Sequence, residues 1–143
     1  MTHEVRGQSA ATGTARTTLD VYRVAIELAA MMHEPLRRIR SHNRELEAQA
    51  RSALRSAVHN IAEGAGKIGS SLREQARCGG QGAELLAEPP PNYAIAQGST
   101  FEVQAALDLC RVWHYLDVQT IHAAEVLLDR LRAMLYRLIA RAA

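Results

Sequence analysis

Apolar side chains recur along this chain at intervals of three and four residues, the spacing that places them on one face of an α-helix. The most regular run lies near the end of the chain, where these intervals alternate without interruption: Ile121, Ala124, Leu128, Leu131, Leu135 and Leu138. Leu127 and Met134 widen this stripe. The pattern predicts a helix over residues 118–140 whose apolar face forms a heptad seam in a helical bundle.

Two segments near the start of the chain have the same periodicity. The first predicts a helix over residues 18–39 with Thr18 as its N-cap, and its apolar positions are Val21, Ala25, Leu28 and Met32. Pro35 interrupts this pattern, and because proline has no backbone N–H we expect it to kink or end the helix. The second predicts a helix over residues 44–63 with a stripe of mostly small side chains: Leu46, Ala50, Ala53, Ala57 and Ile61. Small side chains allow close approach, so we expect this helix to lie deep in the bundle.

The periodicity is lost between residues 65 and 92. This stretch contains Gly79-Gly80 and three consecutive prolines at positions 89–91, so it predicts a long loop, with a short helix around Leu85-Leu86 as the one candidate element. Gly64 and Gly66 precede the loop, and we expect them to end the second helix, because glycine is common just past a helix C-terminus.

A third helix is predicted over residues 92–116, and its apolar positions are expected to face the core: Ile95, Gly98, Val103, Ala106, Leu109 and Val112. The connection at Leu116-Asp117 is short, which predicts that this helix and the last one are antiparallel neighbours. The predicted fold class is therefore all-α, an antiparallel four-helix bundle with a long Gly/Pro-rich loop between helices 2 and 3. Residues 18–143 would form the bundle, after a disordered lead-in over residues 1–17 that is rich in Ser, Thr, Gly and Ala.

Composition supports a helical protein of the cytoplasm. Aromatic residues make up 4% of the 143 residues, and the net charge is +2. Cys78 and Cys110 have no CxxC spacing, which favours a reducing compartment without a zinc site or a disulfide framework. No apolar run approaches the roughly 18 residues of a membrane span, and the N-terminus lacks the apolar core of a secretory signal. We therefore expect a cytoplasmic protein with no membrane association.

Basic residues cluster on two predicted helix faces. Arg44, Arg51, Arg55 and His59 are spaced by seven, four and four residues and therefore share one face of the second helix. Basic stripes favour phosphate binding, although such stripes are also solvated or subunit-facing surfaces in many proteins. Sixteen of the 17 basic residues are Arg, which suits phosphate recognition but is equally explained by a GC-rich genome. The candidate nucleic-acid-binding residues are Arg37, Arg38, Arg40, Arg44, Arg51, Arg55, Lys67, Arg130, Arg132, Arg137 and Arg141.

The octapeptide NIAEGAGK at positions 60–67 raises the possibility of a phosphate loop. That loop requires Gly at position 61 and Ser or Thr at position 68, where this chain has Ile61 and Ile68, so the hypothesis fails at both ends. Glu63 and Glu102 could form a catalytic carboxylate pair, but we favour partners such as a neighbouring helix end or Arg51. No catalytic residue is predicted.

Histidines raise the possibility of a metal site or a nucleophile. His114, Asp117 and His122 cluster around a predicted helix–helix turn, but no Glu-x-x-His pair of the di-iron bundles occurs. Cys110 lies one helical turn before His114, and a core cysteine is the favoured interpretation over an activated thiol. We therefore predict no metal and no cofactor.

Three stretches resemble a known family of four-helix-bundle proteins. They are LDVYRVAIELA at positions 19–29, the segment from Gln49 through Arg51 and Ser56 into NIAEGAGK, and Tyr93–Asp117 with its GS-x-x-E pattern. The family includes the intervening-sequence proteins encoded within 23S ribosomal RNA genes and the accessory variability protein of diversity-generating retroelements. Its motif residues here are Asn60, Glu63, Gly64, Gly66, Gly98, Ser99 and Glu102. The chain departs from the family over residues 65–92, and His114 stands where a glycine is common.

The resemblance implies a basic homo-pentamer that associates with a reverse transcriptase and its RNA. Together with the basic stripes, it predicts a non-catalytic accessory protein that binds RNA or DNA as a homo-oligomer. One alternative is a structural homo-oligomeric scaffold whose arginines pair with acids of a neighbouring subunit. A second alternative is an enzyme that uses the atypical 65–92 segment.

Overall fold

The residues that the structure describes form five α-helices and no strand. The structure is a computed structural model that describes the backbone of residues 8–77 and 90–141 and the side chains of residues 19–66 and 90–141. The helices are α1 (Gln8–Met31), α2 (His33–His42), α3 (Arg44–Arg77), α4 (Pro91–Val112) and α5 (Val118–Ala140). The all-α prediction is confirmed, with five helices in place of four.

The predicted first helix is divided in two because of Pro35. The Met32 N–H donates to the Leu28 carbonyl and the Leu36 N–H donates to the Met32 carbonyl, both at 2.9 Å. Pro35 lies between these bonds and has no N–H with which to continue the series. Helix α1 starts at Gln8, so residues 8–17 of the predicted lead-in are helical, and residues 1–7 lie outside the described ranges.

Gly64 and Gly66 do not end α3, which continues to Arg77, so that prediction is wrong. Gly64 is required for packing instead of capping, because the fully buried ring of Tyr93 lies directly against it. The segment after it has helix-forming residues such as Leu72, Arg73 and Glu74, which favour continuation. Of the predicted loop, residues 65–77 belong to α3 and residues 91–92 to α4, and residues 78–89 lie outside the described part of the chain.

The predicted apolar stripes of the first, second and last helices all contribute to the core. In α4, however, Val103 and Ala106 are buried, whereas Ile95, Gly98, Leu109 and Val112 are exposed. The core seam of α4 keeps Val103 and otherwise consists of positions outside the predicted set, each at most 1% exposed: Tyr93, Ala96, Thr100, Leu107 and Cys110. This seam repeats at intervals of three and four, but so does the exposed series at positions 95, 98, 102, 105, 109 and 112, so periodicity alone could not decide which one faces the core.

Neighbouring helices run antiparallel around the core. Gly64 meets Tyr93 and Ser56 meets Ser99, so α3 and α4 run in opposite directions. Between α4 and α5, Arg111 meets Glu125 and Gln104 meets Arg132, so these two helices also run in opposite directions. One residue, Asn43, connects α2 to α3, and its Oδ1 accepts the Leu46 N–H at 2.9 Å as an N-cap. Helix α1 packs against α3 and α5 and thereby closes the bundle.

Candidate nucleic-acid interface

A partly buried polar cluster, in which Asn92 and Ser99 are the buried members, joins α3 to α4 and accounts for much of the NIAEG motif. The Asn92 Nδ2 group donates to Asn60 Oδ1 at 3.2 Å and to Glu63 Oε2 at 2.9 Å. Asn60 in turn donates to the Ser56 carbonyl at 2.8 Å, and Ser99 Oγ donates to Ser56 Oγ at 2.9 Å. Buried amide and hydroxyl groups are costly unless they are hydrogen-bonded, so this cluster favours one pairing of the two helices.

The remaining motif residues are divided between this helix contact and the surface. Gly64 lies beneath the Tyr93 ring, whereas Gly66, Gly98 and Glu102 are exposed. Glu102 lies ten residues beyond Asn92, about 15 Å along α4, so the structure does not bring it to Glu63. The motif therefore serves helix packing at Asn60, Glu63, Gly64 and Ser99.

Four of the candidate arginines already pair with carboxylates. Arg37 lies 3.9 Å from Glu34 and Arg38 lies 3.6 Å from Asp117, both on the surface. Arg51 pairs with Glu47, and Arg132 pairs with Asp129, contacts Gln104 and covers the Phe101 ring at 5.4 Å from its centroid. Exposed ion pairs contribute little, about 0–1 kcal/mol, so Arg37 and Arg38 can still exchange partners with a phosphate.

Six other candidate arginines are exposed and have no carboxylate within salt-bridge distance among the described residues. They are Arg40, Arg44, Arg55, Arg130, Arg137 and Arg141. The last three are spaced by seven and four residues, so they share one face of α5. Lys67 belongs to α3, and its side chain lies outside the described ones. These six guanidinium groups are the cations that the fold leaves available.

A groove of about 330 Å³ lies between α1 and α2 on one side and α3 on the other. Apolar side chains such as Ile26, Leu54 and Val58 line it. Arg51, Arg55 and His59 also line it at intervals of four residues, which places three basic groups along one edge formed by α3. This edge corresponds to the basic face that the sequence predicts.

Three aromatic rings meet at the end of the bundle where α2 ends and α4 turns into α5. The rings of His42 and Tyr115 stack with centroids 5.0 Å apart and planes 7° apart, and the Trp113 ring lies 5.7 Å from that of Tyr115. Trp113 is 48% exposed, and His42 is also exposed. The sequence predicts that Trp113 and Tyr115 lie together at the end of the bundle, but it gives no signal for His42, which is 71 residues before Trp113.

The turn between α4 and α5 has a left-handed residue. His114 has φ of +57°, and the Tyr115 N–H donates to the Cys110 carbonyl at 3.0 Å, the backbone bond that closes a Schellman motif. Glycine adopts this conformation more readily than histidine does. This is a physical reason why a glycine is common at the equivalent of His114 in the family that the sequence resembles. Asp117 starts α5, and a hydrogen bond from the Thr120 side chain, with a smaller contribution from Arg38, lowers its pKa below the usual 3.8.

Sequence reasoning missed the burial of Glu47. This carboxylate lies in the first turn of α3, is 5% exposed and pairs with Arg51. The available signal was the spacing of four residues between Glu47 and Arg51. Arg51 therefore has a structural partner that the phosphate-binding prediction did not include.

The remaining chemistry offers little to a catalytic hypothesis. Burial raises the pKa of the Cys110 thiol to about 11, which leaves it protonated and unreactive at neutral pH. Among the described residues, no group of three or more His, Cys, Asp or Glu side chains could hold a metal ion. None of the described helices is long and apolar enough to cross a membrane.

Comparison with known proteins gives no relative: no family model, no curated protein and no solved structure matches this chain.

Proposed function

We propose that this protein is a non-catalytic helical bundle that binds RNA or DNA through the phosphate backbone. The observation that carries the proposal is the set of six exposed arginines without a carboxylate partner among the described residues. Guanidinium groups bind phosphate through paired N–H donors. Their binding releases the counterions that were condensed on the nucleic acid, and this release gives most of the non-specific affinity. A net charge of +2 is small for one chain, so the proposal also requires several copies to act together.

The outer face of α4 supports assembly with a second copy. Its exposed positions repeat at intervals of three and four, the spacing of a coiled-coil seam: Ile95, Gly98, Glu102, Ala105, Leu109 and Val112. Three of the six positions carry large apolar side chains, and Val112 at 68% exposed and Ile95 at 52% exposed present apolar surface to solvent. Glu102 at the centre of the seam would form an ion pair with an arginine of the neighbouring copy, which would be one of the six arginines that lack a carboxylate partner within the described chain.

Symmetry would multiply the basic surface. In a ring of identical subunits the unpaired arginines of every copy lie around one axis, and their phosphate contacts add. The sequence resemblance implies a pentamer and a reverse transcriptase as a protein partner, in a diversity-generating retroelement or a related ribosomal RNA setting. We include both in the proposal on the basis of those motifs.

The second candidate is a structural scaffold that binds no nucleic acid. The observation that favours it is the same α4 seam, since an assembly that consumes the free arginines in subunit contacts would leave none for phosphate. The two candidates share the assembly and differ in whether Arg40, Arg44 and Arg55 face solvent within it.

The test is a binding titration with labelled single-stranded DNA and structured RNA over a range of salt concentrations. We expect affinity to fall steeply with salt, with a slope of about 0.7 per phosphate contacted for single strands. Replacing Arg40, Arg44 and Arg55 together with alanine should reduce this slope by about 2. The control replaces Arg111, which pairs with both Asp108 and Glu125 and is not a candidate binding residue, and should change the slope by less than about 0.7.

Assembly is measured separately by sedimentation at several protein concentrations. Leu109→Glu places a second charge in the α4 seam and should shift the protein to monomers, whereas Val126→Glu on the exposed face of α5 should not. If neither nucleic acid binds at low salt while the oligomer persists, the scaffold is correct and the nucleic-acid proposal fails.

A further inference from the structure

We propose that the aromatic cluster of His42, Trp113 and Tyr115 is a stacking site for an unpaired base of a single-stranded nucleic acid. This inference rests on the proposed function and adds a second kind of contact to it, since the arginines bind phosphates and the cluster would bind bases. Proteins that bind single strands combine these two features, because every base has a flat face that an aromatic ring can cover.

The rings form a continuous aromatic surface at one end of the bundle. Tyr115 is half-buried and packs against the core, with His42 stacked on it at 5.0 Å and Trp113 tilted against it at 5.7 Å. His42 and Trp113 are both exposed, so the cluster presents ring surface to solvent from α2 and from the α4–α5 turn. A base can therefore stack on Trp113 without any displacement of the core.

The Trp113 ring lies against Tyr115 and is otherwise half exposed, so the core itself does not require an indole at this position. Trp113 is the C-cap residue of α4, and its backbone N–H donates to the Leu109 carbonyl, a bond that any residue except proline could make. Its side chain is 48% exposed, although the buried positions on either side, Cys110 and Leu116, are fully or almost fully covered. A large aromatic ring that is half exposed beside other rings is typical of a binding surface.

The charges around the cluster are suited to a nucleotide. Arg38 lies one turn before His42 on the same face of α2, is 53% exposed and contacts Asp117 at 3.6 Å. Arg40 lies two residues before His42 and therefore on another face of α2, so Arg38 is the cation that shares the His42 face. Arg38 can hold the phosphate of a stacked nucleotide, because its ion pair with Asp117 is exposed and contributes little.

Trp113 is the single tryptophan of the chain, so its fluorescence reports on this site alone. The experiment compares an oligothymidylate with an abasic oligonucleotide of the same length, which has the same phosphates and no bases. We expect the oligothymidylate to quench Trp113 fluorescence and to bind about tenfold more tightly than the abasic strand. Binding is followed independently through the anisotropy of a label on the oligonucleotide.

Two variants separate stacking from charge. Trp113→Leu keeps an apolar side chain and should remove the tenfold preference while leaving the salt dependence unchanged. Tyr136→Ala, which removes an exposed ring from α5, should leave the preference intact. The comparison of the two oligonucleotides on the unmodified protein does not depend on whether the Trp113 variant folds.

The outcomes distinguish this inference from the function on which it rests. Equal affinities for the two oligonucleotides, with steep salt dependence and no quenching, would overturn the stacking site and leave the phosphate-binding proposal in place. Absence of binding to either strand would overturn both. Fluorescence that changes with protein concentration alone would place Trp113 in a subunit contact and also overturn the stacking site.

Discussion

Adding one methyl group at Gly64 should destabilise this protein even though it adds a good helix former. Gly64 lies in the interior of α3, where alanine is normally favoured over glycine. A Cβ at this position would lie 2.7 Å from Tyr93 Cε1, 3.0 Å from Cζ and 3.1 Å from Cδ1. All three distances are shorter than ordinary van der Waals contact, and Tyr93 is 1% exposed. Either the ring or the whole of α4 must move.

The size of the effect follows from two opposing contributions. Glycine to alanine inside a helix stabilises by about 0.5–1 kcal/mol, because glycine loses more backbone freedom on folding. Overpacking a well-filled core costs about 1–3 kcal/mol, because neighbouring side chains are forced away from their preferred conformations. The second contribution is the larger one here, since three ring atoms are too close. We expect Gly64→Ala to lower the free energy of unfolding by about 1–2 kcal/mol.

Gly66 and Gly98 provide matched controls. Both lie within helices, both are exposed, and a Cβ built at either one meets no atom of the described residues within 4 Å. The same substitution at these positions should therefore raise the free energy of unfolding by about 0.5–1 kcal/mol. Urea denaturation followed by helical circular dichroism measures all three variants, at one protein concentration because assembly would stabilise the folded state.

The three alanine variants should separate into two groups, with Gly64→Ala less stable than the unmodified protein and the other two more stable. A Gly64→Ala protein as stable as Gly66→Ala would show that Tyr93 does not lie against α3 as described. Such a result would also remove the explanation offered for why a glycine stands inside the helix.

Three further predictions concern the turn, the buried carboxylate and the end of α5. His114→Gly should raise the free energy of unfolding by about 0.5–1 kcal/mol in urea denaturation, because the φ of His114 is +57°. His122→Gly inside α5 is the control and should lower it by roughly a few tenths of a kcal/mol. A loss of stability at position 114 would contradict the left-handed conformation. Arg51→Ala should lower the free energy of unfolding in urea by about 1–2 kcal/mol, because it leaves the Glu47 carboxylate buried without its cation. Arg55→Ala is the control and should leave the stability almost unchanged. Equal effects of the two substitutions would mean that Glu47 does not depend on Arg51. The pKa of Asp117 is lower in the folded chain than in the unfolded chain, so ionised Asp117 stabilises the fold above about pH 4, and this stabilisation is lost as the pH falls through the lowered pKa. Asp117→Asn should remove this part of the pH dependence of stability, and an unchanged acid sensitivity of the variant would refute the prediction.

Much of the fold could be predicted from the sequence because burial and periodicity agree in most helices. The stripe of α5 has large apolar residues on one side and charged residues on the other, so its boundaries and its core face were both correct. An interruption of the first helix was predicted from Pro35, and the structure has it at Met32, for a reason that is local to the backbone. These features depend on residues that are close in sequence.

The errors have a different origin, since each depends on a residue far away in the chain. Nothing in the sequence near Gly64 indicates that Tyr93, 29 residues later, lies against it. Its local sequence therefore indicated the end of a helix. The predicted stripe of α4 combined positions of two faces: Val103 and Ala106 are buried as expected, whereas Ile95, Leu109 and Val112 belong to an exposed series that is as regular as the buried one. The aromatic cluster joins His42 to Tyr115 across the end of the bundle, and no local pattern contains that information.

The two series on α4 have a consequence for how the chain reaches its native state. They start two residues apart, which corresponds to a rotation of about 200° about the helix axis, so α4 could dock onto its neighbours in either of two orientations. The alternative orientation would bury the Glu102 carboxylate at the centre of the core and would withdraw Asn92 and Ser99 from their partners on α3. The polar residues of this helix thus select its rotation: they add little net stability to the native fold, but they make the alternative orientation too unfavourable to persist during folding.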